Sequence, residues 1–140
     1  MTMFEKFFEK ATGYEPFRFQ VEFAESEHLY SLVDIPTGCG KTAMAILGWL
    51  WRRRFRSDTK AVTPRRLVYC LPMRVLVEQT RDAAEEWITN LVKNELLREG
   101  NVEVHMLMGG ELERDWVRYP EKDAVLIGTQ DMLLSRALNR

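Results

Sequence analysis

The eight residues Ile35 to Thr42 (IPTGCGKT) contain the side chains and the backbone freedom that triphosphate binding needs. Gly38 and Gly40 let the chain bend so that successive N–H groups point inward as an anion nest, and a following helix adds the positive end of its dipole. Lys41 would reach the β- and γ-phosphates as a point charge and is the candidate catalytic residue, while the Thr42 hydroxyl would hold Mg²⁺. Ile35, Pro36, Thr37 and Cys39 complete the candidate nucleotide-binding turn, and the expected cofactors are ATP and Mg²⁺. A glycine turn with a surface lysine is the plainer alternative. The flanks favour the phosphate loop, because the segment follows the short apolar run Leu29 to Val33 and opens the apolar stretch Ala43 to Arg56, giving strand, glycine turn and buried helix.

Other elements follow from hydrophobic period. Phe4, Phe7, Phe8 and Ala11 stand at helical spacing with Gly13 as a stop. Leu67 to Leu71 is a second apolar run, broken by Pro72; Leu76, Thr80, Ala83, Ala84, Trp87, Ile88, Leu91 and Leu96 then trace one helix face. Val102, Val104 and Met106 alternate as a third strand, and Ala124 to Ile127 forms a fourth. Glu111 to Val117 reads as a turn of helix and Asp131 to Leu138 as a closing helix, with Ser57 to Pro64 the best loop candidate. Strands alternating with helices imply βαβ units and a mostly parallel sheet of about four strands in an α/β fold.

Length and composition bound the class. A chain of 140 residues fits one domain with a real core, and 46% hydrophobic with 29% charged residues is ordinary for a globular protein. The apolar stretch Ala43 to Trp51 stops at Arg52 to Arg54, short of the roughly 20 residues of a membrane helix. The N-terminus MTMFEKFFEK has acids among its aromatics, unlike a signal peptide, and Cys39 and Cys70 show no metal-ligand spacing. A reduced, cytoplasmic location is expected. The net charge is -1, yet seven basic residues fall between Arg52 and Arg66 with Asp58 the only acid among them. That run reads as a solvated helix end whose cations complement the dipole, with a backbone-phosphate patch as the other reading. His28 and His105 are isolated in the sequence and read as structural.

The general phosphate-loop pattern asks for Gly where this chain has Ile35. The form Pro-Thr-Gly-x-Gly-Lys-Thr without that glycine resembles superfamily 2 helicases. Three further stretches match in order. Phe19-Gln20, about 21 residues before Lys41, resembles the upstream glutamine motif, whose amide can donate to and accept from adenine and so select ATP over GTP. Tyr69 to Thr80 (YCLPMRVLVEQT) is similar to motif Ia, which implies that Arg74 contacts a nucleic-acid phosphate; structural salt bridging is the rival reading. Gly128-Thr129-Gln130-Asp131 resembles the motif in which a Thr hydroxyl and a helix start hold the next phosphate, although Thr129 or Asp131 could equally cap a helix. Met108-Gly109-Gly110 occupies the place of motif Ib, making Gly109 a further nucleic-acid candidate.

Together, DIPTGCGKT, RRLVYCLPMRVLVEQT and IGTQDMLLSRALNR look closest to the helicase and nuclease of CRISPR type I interference. That resemblance implies a partial RecA-like domain, single-stranded DNA as partner with RNA not excluded, and a guide-RNA surveillance complex that loads the motor. The family's acidic Asp-Glu motif and its second RecA-like domain with arginine fingers are not visible in these residues. The expectation is therefore an N-terminal portion of a helicase, truncated before the acidic motif, that binds ATP without efficient hydrolysis. A stand-alone nucleotide-switched binding module and another phosphate-loop enzyme such as a small-molecule kinase stay open as alternatives.

Overall fold

The structure is a computed structural model that describes residues 1–29, 40–107 and 122–131. Two compact units divide the chain, residues 1–64 and 65–140.

The first unit is helical. Helix α1 (Met3–Thr12) starts with a capping box in which Thr2 and Glu5 exchange hydrogen bonds, and ends at Gly13, whose left-handed conformation closes the last turn onto Glu9. Its buried stripe is Phe4, Phe7, Phe8 and Ala11, the four residues read from the sequence. Helix α2 (Arg18–Glu25) was not anticipated from the sequence. Helix α3 (Lys41–Arg54) begins two residues earlier than the apolar run suggested and buries residues around most of its circumference, among them Met44, Ile46, Leu47, Trp49, Leu50 and Trp51. Aromatic rings bind α1 to the C-terminal half of α3: Trp51 lies 5.6 Å from Phe4 and 5.3 Å from Phe7, and Phe55 stacks on Trp51 at 5.3 Å. Burying Phe4 and Phe7 contributes about 1.5–3 kcal/mol each.

Residues 55–64 form a string of turns, as the loop expectation held, but one tied down internally. Thr59 donates to the Arg52 carbonyl and Thr63 to the Thr59 carbonyl, both at 2.7 Å, and the Trp49 indole donates to the Pro64 carbonyl at 2.7 Å.

In the second unit, strands β1 (Arg66–Leu71), β2 (Val102–Leu107) and β3 (Asp123–Thr129) form a parallel sheet in the order β1-β3-β2. The sequence shows why β3 is central. Ala124 to Ile127 is a continuous apolar run, as a strand covered on both faces requires, whereas β2 interleaves Glu103 and His105 with its apolar residues. Helix α4 (Arg74–Lys93) packs against all three strands and buries Val77, Thr80, Ala84 and Leu91. It stops short of Leu96, which the periodicity had included: Asn94 caps the helix, Glu95 turns with φ 62°, and Leu96 is left exposed.

Three of the four expected strands are thus present among the described residues. All of the first, Leu29 to Val33, except Leu29 itself, the turn at Glu111 to Val117 and most of the closing helix Asp131 to Leu138 lie outside them. No helix among the described residues is long and apolar enough to cross a membrane.

Candidate functional site

Of the phosphate-loop candidates, Gly40, Lys41 and Thr42 are described; Ile35, Pro36, Thr37, Gly38 and Cys39 lie outside the described residues. Gly40 is the N-cap of α3 with φ 84° and ψ 28°, a left-handed conformation that costs other residues about 1–2 kcal/mol. Having no side chain, it leaves the first turn of α3 without a side-chain cap, and that turn carries no acid. Lys41 and Thr42 are its first two residues. An uncapped helix start bearing a lysine and a hydroxyl suits a phosphate and an oxygen-seeking cation.

Gln20 is brought to this turn by α2. Its carboxamide oxygen accepts from the Phe17 N–H at 2.7 Å, and its nitrogen donates to the Gly40 carbonyl at 3.0 Å. Those partners fix the orientation of the amide, since a backbone N–H must face oxygen and a carbonyl must face the NH₂ group. The side chain is 2% exposed. A Cβ at Gly40 would sit 2.6 Å from the Gln20 nitrogen, so a side chain there would displace the Gln20 amide, in addition to the strain of the positive φ.

Between these points α2 and α3 touch closely. A Cβ at Gly48 would come within 2.5 Å of the Phe23 ring, so the absence of a side chain in the middle of α3 lets α2 approach. At the far end, Arg52 is 1% exposed and its guanidinium reaches the carbonyls of Phe23 at 3.2 Å, Ala24 at 3.4 Å, Ser26 at 2.7 Å and Glu27 at 3.4 Å. Arg56 joins it on the Ala24 and Ser26 carbonyls at 3.0 and 2.8 Å and forms a two-bond pair with Asp58 at 3.1 and 2.6 Å. Arg53 is buried too and donates to the Lys60 carbonyl at 2.5 Å. This corrects the reading of the basic run. Arg52 and Arg53 form neither a solvated helix end nor a phosphate patch, because both are buried and their terminal guanidinium nitrogens donate to backbone carbonyls.

Sequence reasoning missed this clamp. The available signal was that Arg52 and Arg53 directly continue a helix that is apolar nearly all round.

In the second unit, the parallel register pairs Leu71 with Thr129, so the C-terminal ends of β1 and β3 coincide. Arg74 opens α4 just beyond that end, which brings the candidates Arg74 and Thr129 to one end of the sheet, where open α/β sheets bind ligands. The Arg74 side chain is 75% exposed and pairs with Glu78 at 3.4 Å. An exposed i,i+4 pair of this kind contributes only about 0.3–0.5 kcal/mol, so the guanidinium is easily redirected. Gly109 lies outside the described residues. Of the two histidines, His28 is exposed, whereas His105 is buried with its ring nitrogen 3.5 Å from Glu103. Among the described residues no group of three or more His, Cys, Asp or Glu could hold a metal ion.

A parallel sheet packed against α4 in one unit, and a helix starting at Gly-Lys-Thr in the other, are the features of an α/β protein, and the second suits a phosphate loop. The family comparison is more particular: the DEAD/DEAH box helicase profile matches residues 22–140, and the chain belongs to that family. Its fold is accordingly RecA-like, and the chain carries an ATP-binding helicase module. No curated protein and no solved structure matches the chain significantly. Because the match begins at residue 22, Gln20 enters on geometry alone.

Proposed function

We propose that this chain is the nucleotide-gripping part of a motor that moves along single-stranded DNA. The observation that carries the reading is the start of α3, where left-handed Gly40 is followed by Lys41 and Thr42 in an uncapped first turn. In this reading the first-turn N–H groups and Lys41 hold the phosphates of ATP, and Thr42 holds the Mg²⁺ that neutralises them. Gln20, buried and bonded to Gly40 and Phe17, would serve the site by holding the peptide that launches α3. Bound ATP would supply the transferable phosphoryl group, and Mg²⁺ would neutralise charge on its phosphates. The chain's own residues bind and orient it, and no Asp-Glu pair stands in these 140 residues to position the water. Binding with little turnover by the isolated chain follows.

Arg74 and Thr129, at one end of the sheet, would hold successive phosphates of the strand without reading its sequence. The CRISPR type I association, with its guide-RNA surveillance complex and cytoplasmic setting, rests on sequence resemblance in the three stretches quoted above. Co-purification with such a complex tests it.

Titration of labelled single-stranded DNA tests the nucleic-acid reading. The expected affinity is on the order of 10⁻⁴ to 10⁻⁶ M, falling steeply with salt. No binding at low salt, or an affinity indifferent to salt, overturns it.

A further inference from the structure

We propose that Arg52, assisted by Arg56, is a positioning residue for the nucleotide-binding start of α3, acting through α2; this rests on the nucleotide-binding reading of Lys41 and Thr42. Helix α2 has only eight residues, too few to be stable alone in water. Its placement must therefore come from its neighbours, and α3, which packs against it more extensively than α1 does, holds it at three heights. Near the start of α3 the Gly40 carbonyl takes the Gln20 amide. In the middle Phe23 lies over Gly48. At the C-terminal end Arg52 and Arg56 converge on the carbonyls of Phe23, Ala24 and Ser26.

The chemistry of that last contact is specific. The final carbonyls of a helix have no partner within it and carry the negative end of its dipole, so buried guanidinium groups are the donors that suit them. Arg52 also reaches the carbonyl of Glu27, just past the end of α2. Loosening this end lets α2 slide or fray along α3, and the residue that feels it at the other end is Gln20. From there the disturbance reaches Gly40, and with it the first turn that presents Lys41 and Thr42.

A mere stability role would lower the melting temperature and leave nucleotide affinity unchanged wherever the protein is folded. A positioning role predicts coupling to Gln20. The test is a double-mutant cycle on ATP–Mg²⁺ affinity, using the full chain at a temperature where circular dichroism shows each variant folded. R52Q is expected to weaken binding about tenfold, and the loss in the R52Q/Q20A double variant should fall short of the product of the two single losses, because the restraint they share can be removed only once. R52K, which keeps the charge but reaches fewer carbonyls, should fall between wild type and R52Q. If R52Q does not fold, R56Q takes its place with a smaller effect in the same direction, since Arg56 is less buried and shares two of the carbonyls. Wild-type affinity in the folded arginine variant, or losses that simply multiply in the double variant, overturns the proposal alone. Failure of the wild-type chain to bind nucleotide overturns the nucleotide reading, and this proposal with it.

Discussion

The Gln20 amide nitrogen donates to the Gly40 carbonyl at 3.0 Å, and the same carbonyl accepts the Met44 N–H at 3.0 Å, so both lone pairs of the residue preceding Lys41 are engaged. A glutamine 20 positions upstream thereby fixes the peptide that launches α3. Replacing it should disturb both folding and nucleotide grip. Gln20→Ala removes the hydrogen bonds to the Phe17 N–H and the Gly40 carbonyl, each worth about 0.5–1.5 kcal/mol in thermal or urea unfolding. Gln20→Glu sets a carboxylate oxygen against the Gly40 carbonyl and should be worse than alanine in ATP titrations. An equal or milder effect of glutamate would contradict the assigned contact.

Gly48 makes a different prediction. A glycine in a helix interior is ordinarily improved by alanine by about 0.5–1 kcal/mol. Here the added Cβ would lie 2.5 and 2.7 Å from atoms of the Phe23 ring, so Gly48→Ala should instead destabilise by about 1–3 kcal/mol. Combining it with Phe23→Leu should restore part of that loss. Chemical denaturation of the two single variants and the double variant measures this directly.

The hydrogen bonds from Arg56 hold the Asp58 carboxyl below its ordinary range. The folded state therefore binds this proton less readily than the unfolded chain does. The stabilisation is fully present above the unfolded pKa and is lost as pH falls through the lower folded pKa. Melting temperatures of wild type and Asp58→Asn should differ at neutral pH and converge in acid. A gap that widens on acidification would show that the pair is not the source.

For the nucleic-acid contacts, Arg74→Ala should weaken single-strand binding about equally for all sequences and reduce the slope of log K against log salt by about 0.7. Thr129→Ala removes a neutral donor and should weaken binding with the slope unchanged. Both are surface or half-buried positions, so folding should be little altered. Wild-type affinity in the two variants would remove them from the interface.

Much of the fold was legible because the physics involved is local. The Phe4, Phe7, Phe8 and Ala11 stripe and the Gly13 stop define α1 within a dozen residues, and the unbroken run Ala124 to Ile127 marks a strand covered on both faces. Helix α2 was not legible: Phe17 gives it no side-chain cap, and its C-terminal carbonyls are satisfied by Arg52, more than 25 residues away. The same long-range contact misled the reading of the basic run, since a row of arginines does not reveal which of them face a neighbouring helix. Within the candidate site, Lys41, Thr42 and Gln20 were legible by type and spacing. The bond from Gln20 to Gly40 was not, because it depends on the placement of α2.

The central claim is that the start of α3 grips a nucleotide through Lys41. Calorimetric titration of the purified chain with ATP, in the presence and absence of Mg²⁺, tests it most directly when run beside Lys41→Ala. Saturable binding that strengthens with Mg²⁺ and is lost in a folded Lys41→Ala variant is the predicted result. Binding that Lys41→Ala leaves intact, or none by the folded wild-type chain, would contradict it.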